Sequence, residues 1–177
     1  MPNPILLNIP DQFEMERLLI RVPREGDGAM LNAAIVASHD SLKAWMLWAQ
    51  ELPTVDDTEL YCRQSYSDFI ARKNLPMMLI RKSDSVIVGN SGLHNVNWDV
   101  PSFEIGYWAH IDHQGQGYIT EAVLGITEFA FTTLHAARVE LRCDTRNIAS
   151  AAVAKRAGFT LCGTFYNDSP SRSQPCR

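Results

Sequence analysis

The residues of this chain best suited to chemistry stand in one stretch, Glu104-Ile-Gly-Tyr-Trp-Ala-His-Ile-Asp-His-Gln-Gly-Gln-Gly-Tyr-Ile-Thr-Glu-Ala122. Phe103, Ile105, Tyr107 and Ala109 alternate with Glu104, Gly106, Trp108 and His110, the period-two pattern of a strand with two different faces. Glu104 and Trp108 then share a face with the bare Gly106 between them, which leaves room for a substrate beside a carboxylate. A general base is one use of that geometry, and an exposed strand glutamate paired with a cation is the other. Past the strand, Gly115 and Gly117 stand before a helical pattern of Ala122, Ile126, Phe129, Ala130 and Thr133. Glycines let backbone N–H groups approach a ligand, and the first N–H groups of a helix lack intrahelical partners. Such a junction binds phosphate. A strand-to-helix turn also uses glycine for steric reasons alone.

Asn147 and Ser150 form a second polar pair, read locally as an N-cap followed by a small polar residue in the first turn of a helix that Gly158 ends. Lys155 and Arg156 suit either a phosphate contact or a solvated helix face. His39, His94, His110, His113 and His135 are scattered without metal-ligand spacing, and the sequence gives none a catalytic role.

The elements that must position these residues follow from periodicity. Arg17 to Val22 reads as a first strand and Pro23 to Asp27 as a turn leading into a helix over Ala29 to Ser38. Ser41 to Trp48 reads as a further short apolar helix, and Pro53 to Asp57 opens another that runs to about Lys73. Met77 to Arg81 and Val86 to His94 read as antiparallel strands joined around Lys82 to Ser85. The Glu104 strand, the glycine-loop helix, a strand at Arg138 to Cys143, the Asn147 helix and a strand at Thr160 to Tyr166 complete the order. The chain after Asn167 is rich in proline and polar residues and makes a poor strand.

The 177 residues fit one domain, 1–177, with 168–177 an atypical tail. A hydrophobic share of 46% and a charged share of 20% predict an ordered globular chain. A net charge of −4 offers no broad basic field for nucleic acid. The N-terminal residues lack the pattern of a secretory signal, and no apolar run approaches a membrane span, so a cytoplasmic location without membrane contact is expected. Cys62, Cys143, Cys162 and Cys176 lack zinc-site spacing, and mostly buried, reduced thiols are expected, with Cys143 in the core.

The ordered set Glu16-Arg-Leu-Leu-Ile-Arg21, Phe103-Glu-Ile-Gly-Tyr-Trp108, Gln114-Gly-Gln-Gly-Tyr-Ile-Thr-Glu-Ala122, Arg138-Val-Glu-Leu-Arg142, Asn147-Ile-Ala-Ser150 and Ala157-Gly-Phe159 resembles the GNAT superfamily of acyl-CoA-dependent N-acetyltransferases. Within it, the set is similar to the subgroup that acetylates the N-termini of ribosomal proteins. The resemblance implies an α/β fold, a mixed, mainly antiparallel twisted sheet flanked by helices and splayed between its fourth and fifth strands, with the final strand altered or missing. It implies acetyl-CoA as acyl donor and no metal. The backbone of Gln114, Gly115, Gln116, Gly117, Tyr118 and Ile119 would wrap the pyrophosphate, while Tyr107, Trp108, Ala109 and Asn147 would meet pantetheine. Ser150 would donate a proton to the CoA sulfur, with Tyr118 and Tyr166 as reserve acids, and Trp45 and Trp48 fall where the subgroup lines its acceptor cleft, although one or both could instead pack in the core.

The chain departs from the family at Gln114, where arginine is frequent, at Ile119, where a small residue is frequent, and at Cys162, where several members carry glutamate. A neutral amide and a branched side chain leave phosphate affinity to the backbone. A thiol replaces that carboxylate only by ionising, which apolar burial opposes. The altered end could leave a sheet edge to be covered by the tail or by a second copy in a homodimer. The expected activity is acetyl transfer to a protein or peptide α-amine by direct attack. Alternatives are acetylation of a small amine or antibiotic, non-catalytic acyl-CoA binding, and a folded but disabled fragment.

Overall fold

The computed structural model of the chain describes residues 3–165. Six strands form one sheet in the order β1 to β6: β1 Gln12–Glu14, β2 Leu18–Arg21, β3 Leu75–Arg81, β4 Ile87–Asn97, β5 Ser102–Ala109 and β6 Arg138–Leu141. Neighbours run antiparallel except β5 and β6, which are parallel. A parallel pair needs a crossover, and α3, Tyr118–Thr132, supplies it. Helices α1, Gly28–Lys43, and α2, Val55–Ile70, fall between β2 and β3, and α4, Ile148–Arg156, follows β6.

Alternation along the strands feeds two cores. Phe103 and Ile105 of β5 pack with Ala122, Ile126 and Phe129 of α3, the helical stripe expected from the sequence. Trp108 instead joins Leu31 and Ile35 of α1, Cys62 of α2 and Met78 of β3. Ile126 is fully buried, and truncating such a side chain costs about 2–5 kcal/mol. Asp27 fastens the turn before α1. Its carboxylate accepts two bonds from the Arg21 guanidinium, at 2.6 and 2.7 Å, and one from the Arg24 N–H at 2.6 Å. Thr54 and Asp57 cap α2 reciprocally.

Several expectations need correction. A three-residue strand, β1, precedes the strand read at Arg17 to Val22 and is too short to carry a period. The helix expected over Ser41 to Trp48 does not form. Instead α1 runs on to Lys43, and a 3₁₀ turn, Leu47–Gln50, follows an extended Met46. Trp45 and Trp48 are about half exposed, at 45% and 49%, so neither packs in the core. The described part of the expected Thr160 to Tyr166 strand is irregular, with Leu161 85% and Phe165 72% exposed. Residues there favour strand by type, but β-structure requires a pairing partner. Tyr166 and the 168–177 tail, with Cys176, lie outside the described residues. Cys143 and Cys162 are exposed and only Cys62, among the described cysteines, is buried. Burial pushes the Cys62 thiol up to about 12, assisted by Asp27 and Glu59.

Burial opposes ionisation of Asp27, yet the Arg21 and Arg24 bonds hold its carboxyl below the usual range. A pKa lowered by folding adds stability that is full above the unfolded value of about 3.9 and fades as pH falls through the lower folded value. Asp27→Asn is therefore expected to lose about 2 kcal/mol in urea unfolding at pH 7, with the gap to wild type closing below about pH 4. A gap of constant size down to pH 2 would show that the carboxylate charge contributes nothing.

Candidate active site

The site begins where β5 and β6 part. Their pairing runs from Ser102 and Arg138 to Ile105 and Leu141, after which β6 ends while β5 continues through Gly106 to Ala109. Gly106, Tyr107, Trp108 and Ala109 remain paired with β4 on their other edge. This is the splay expected between the fourth and fifth strands, counted from Leu18–Arg21.

Beyond Ala109, a 3₁₀ turn at Ile111–His113 leads into the glycine loop. His110 caps that turn, its Nδ1 accepting the Asp112 N–H at 3.2 Å. Burial, reinforced by neighbouring His113, lowers the His110 pKa, so the ring stays neutral at pH 7 as a capping acceptor requires. Gly115 and Gly117 have φ of +71° and +83°, the left-handed region that other residues enter at a cost. A Cβ at Gly115 would meet nothing within 4 Å. Gly117 is the N-cap of α3 and offers no side-chain acceptor, so the initial N–H groups of α3 lack a side-chain cap from it. The loop therefore has the open approach and partial positive charge that suit a phosphate.

Arg17, a residue the sequence placed only within the first strand, straps this loop. Its N–H and Nε donate to Glu121 of α3 at 2.8 and 2.6 Å, and its Nη1 donates to the Gln116 carbonyl at 3.0 Å. The guanidinium lies 4.5 Å from the centre of the Tyr118 ring, and Arg81 reaches the same ring at 5.8 Å. The Arg17 hydrogen bonds span about a hundred residues of chain, 99 to Gln116 and 104 to Glu121, beyond the reach of local pattern. Gln114 donates to Ser41 Oγ at 3.1 Å and Gln116 to the Asp112 carbonyl at 2.9 Å, so both amides tie the loop down. Ile119 turns its side chain to the core beneath α3. Tyr118 is buried, with Arg17 and Arg81 against its ring. From α4, Arg156 donates to Thr120 at 3.3 Å and so stands beside the first turn of α3.

Two polar clusters bracket Gly106 and Tyr107. On the α1 and α2 face, Glu104 accepts from Asn95 Nδ2 at 2.8 Å, and its other oxygen lies 3.3 Å from His94 Nε2. His94 is the register partner of Glu104 across β4 and β5, which the sequence reading did not find. On the α3 and α4 side, Tyr107 Oη and Ser150 Oγ are 2.8 Å apart, and Asn147 accepts the Ser150 N–H at 3.0 Å as N-cap. Burial pushes the Tyr107 hydroxyl above its ordinary range, so it keeps its proton at neutral pH. Asp144 closes the turn before Asn147 through Arg146, which holds its carboxyl down to about 2.

The structure brings Tyr107, Asn147 and Ser150 into contact on one side of β5, holds Glu104 with His94 and Asn95 on the other, and sets the glycine loop beyond the end of the strand with Arg17 and Glu121. The Trp108 side chain belongs to the core under α1, leaving its backbone as the part facing the splay. Trp45 and Trp48 are exposed in the connection between α1 and α2. A hollow lined by Arg24, Glu25, Arg63 and Tyr66 lies toward the β1 edge, where Arg24 pairs with Asp11, and gathers none of these groups.

Residues 17–160 match a family model described as an acetyltransferase (GNAT) domain. YdaF of Bacillus subtilis, provisionally named a ribosomal N-acetyltransferase, is 29% identical over 149 residues, 81% of this chain and 78% of that protein. The ribosomal-protein-serine acetyltransferase of Escherichia coli is 28% identical over 134 residues, 71% of this chain and 74% of its own length. Among solved structures, the microcin C7 self-immunity acetyltransferase MccE, in complex with acetyl-CoA and AMP, superposes with a TM-score of 0.78 at 25% identity, over 84% of this chain and 82% of that one. With its splayed sheet, its glycine loop and this match, the chain belongs to the GNAT acetyltransferase family.

Proposed function

We propose that this N-acetyltransferase moves acetyl from acetyl-CoA to the α-amine of a protein or peptide, by direct attack within one complex of all three. The observation that carries the reading is the pair of polar clusters on opposite sides of adjacent β5 residues, at the point where β6 departs. Acetyl-CoA supplies the acetyl group as a thioester. The backbone of Gln114 to Ile119 would hold its pyrophosphate, with Arg17 and Arg156 adding positive charge nearby. The backbone of Tyr107 to Ala109 would meet pantetheine, and an N–H there would face the thioester oxygen. Asn147 would add a further contact to pantetheine.

The acceptor nitrogen bonds to the carbonyl carbon as the carbon–sulfur bond breaks. Ser150 would give its hydroxyl proton to the departing sulfur while Tyr107, protonated and 2.8 Å away, donates a hydrogen bond to the serine oxygen, which regains its proton from solvent. A base in the Glu104 cluster would take the proton lost by the amine. An α-amine makes little demand on that base, because a reference pKa of about 7.7–8.0 leaves roughly a tenth neutral at pH 7, against under a thousandth for lysine near 10.4. Trp45 and Trp48, exposed beside the α1 and α2 face, would contact the acceptor peptide.

The names of the Bacillus subtilis and Escherichia coli relatives support a ribosomal-protein acceptor. MccE, which was solved with AMP, favours a small-molecule acceptor as the second reading. Following CoA release with serine- and alanine-initiated peptides, the same peptides N-terminally blocked, spermidine and an aminoglycoside separates the two. Turnover confined to free N-termini is expected. Turnover with small amines alone would overturn the α-amine reading, and tight acetyl-CoA binding without turnover on any amine would overturn the transferase reading itself.

Arg17→Ala is expected to weaken acetyl-CoA binding about tenfold, roughly 1.4 kcal/mol in calorimetry, while kcat at saturating donor changes little. Ser150→Ala should do the reverse, lowering kcat about a hundredfold at near-normal donor affinity. An unchanged kcat in that variant would remove Ser150 as the acid.

A further inference from the structure

The Glu104 cluster holds a feature that the carboxylate alone leaves unused. Both Glu104 oxygens are engaged, one by Asn95 and the other beside His94, and the carboxylate is 16% exposed. His94 is 42% exposed. Its ring lies directly over Gly106, so close that a Cβ added there would sit 2.7 Å from His94 Cε1. Gly106 is the first β5 residue past the end of the β6 pairing, which places the imidazole at the mouth of the splay. Asn95, with φ of +49°, holds a left-handed conformation that brings its amide to Glu104. Among the described residues, Glu104 is the charged group within ion-pair distance of His94.

From this arrangement we infer that His94, rather than Glu104, takes the proton from the acceptor amine. The inference rests on the transferase reading above and assigns its proton-accepting atom. With a proton on Nε2 facing the carboxylate 3.3 Å away, Nδ1 keeps its lone pair for the substrate. When the amine forms its bond to the acetyl carbon, its N–H proton moves to Nδ1, and Glu104 stabilises the imidazolium that results. Glu104 is then a positioning residue: it selects the tautomer and fixes the ring. The fixed ring in turn requires Gly106, because any side chain there would displace it.

Two measurements test this. Nitrogen-15 NMR of the imidazole, with His94→Gln identifying the signal, reads the tautomer without any acceptor. The neutral ring is expected as the Nε2–H form in wild type, with that preference lost in Glu104→Gln, and an Nδ1–H form would overturn the inference even if the enzyme acetylates peptides. The second measurement is kcat/KM for the acceptor against pH, using whichever peptide or amine wild type acetylates. His94→Gln should fall at least a hundredfold and lose the acid limb, while Glu104→Gln falls but keeps a limb, both binding acetyl-CoA normally in calorimetry. If Glu104→Gln loses the limb and His94→Gln retains it, the carboxylate is the base and the inference is wrong. If wild type acetylates nothing, the transferase reading fails separately, whatever the tautomer.

Discussion

The early end of β6 is the constraint on which the rest of this site depends. A sheet satisfies backbone N–H and C=O groups strand by strand, and a strand that loses its neighbour must find other partners for them. Here β5 keeps β4 on one edge along its length but loses β6 after Ile105. The backbone from Gly106 to Ala109 is therefore rigid on one side and open on the other. In the proposed reaction, that combination would make the strand a hydrogen-bonding template for an extended ligand. A fully paired β5 would be more stable and useless for this purpose, whereas an unpaired one would be too mobile to orient a reacting carbonyl.

Holding the splay open is distributed between the two ends of the chain segment that crosses it. At one end, α3 packs its apolar stripe on the sheet and fixes the glycine loop at its N-terminus. Glu121 in the first turn of α3 would, alone, place a negative charge beside a phosphate site. Arg17 neutralises it, and the Arg17 bond to the Gln116 carbonyl couples the loop to the start of β2. The salt bridge is partly exposed, at 42% for Arg17 and 13% for Glu121, so its contribution to stability is modest. Its larger consequence is geometric, because Arg17 ties the Gln116 carbonyl between the two glycines to the first turn of α3. At the other end, the Asp144 and Arg146 turn delivers Asn147 and Ser150 to Tyr107.

Local pattern made much of this legible. The period-two alternation located β5 and placed Glu104, Gly106 and Trp108 on one face, and the Gly115 and Gly117 spacing located the turn into α3, where both glycines have left-handed φ. Asn147 is the N-cap expected. What stayed hidden depends on distance in the chain. The His94 contact needs the β4 and β5 register, which shifts between His94 and Asn97 and so cannot be counted from the sequence. Arg17 meets Glu121 across 104 residues. The Trp45 to Trp48 segment misled because its apolar composition suggests burial, although α1 stops at Lys43 and the chain there lies over the surface. Thr160 to Phe165 misled in the opposite sense, since strand-forming residues need a pairing partner and none of the described residues pairs with them. The sequence offered Glu104 as a general base or as a strand glutamate paired with a cation, and the pattern alone does not name His94 as its neighbour.

Gly106 shows why two chemically opposite clusters can serve one reaction. A nucleophile and a departing thiolate need their proton partners on different sides of the same carbon, yet side chains on a strand alternate faces with each residue. Adjacent positions therefore supply the two sides at minimal separation, with Gly106 facing His94 and Tyr107 facing Ser150. A side chain at residue 106 would interpose its own bulk and separate the acceptor from the strand that orients the donor. In the proposed reaction the bare glycine would keep the two sides one backbone apart, so that a single short stretch of β5 would place the base, the acid and the donor relative to each other. Any precision in that placement would come from the sheet, where β5 stays paired with β4 through Ala109.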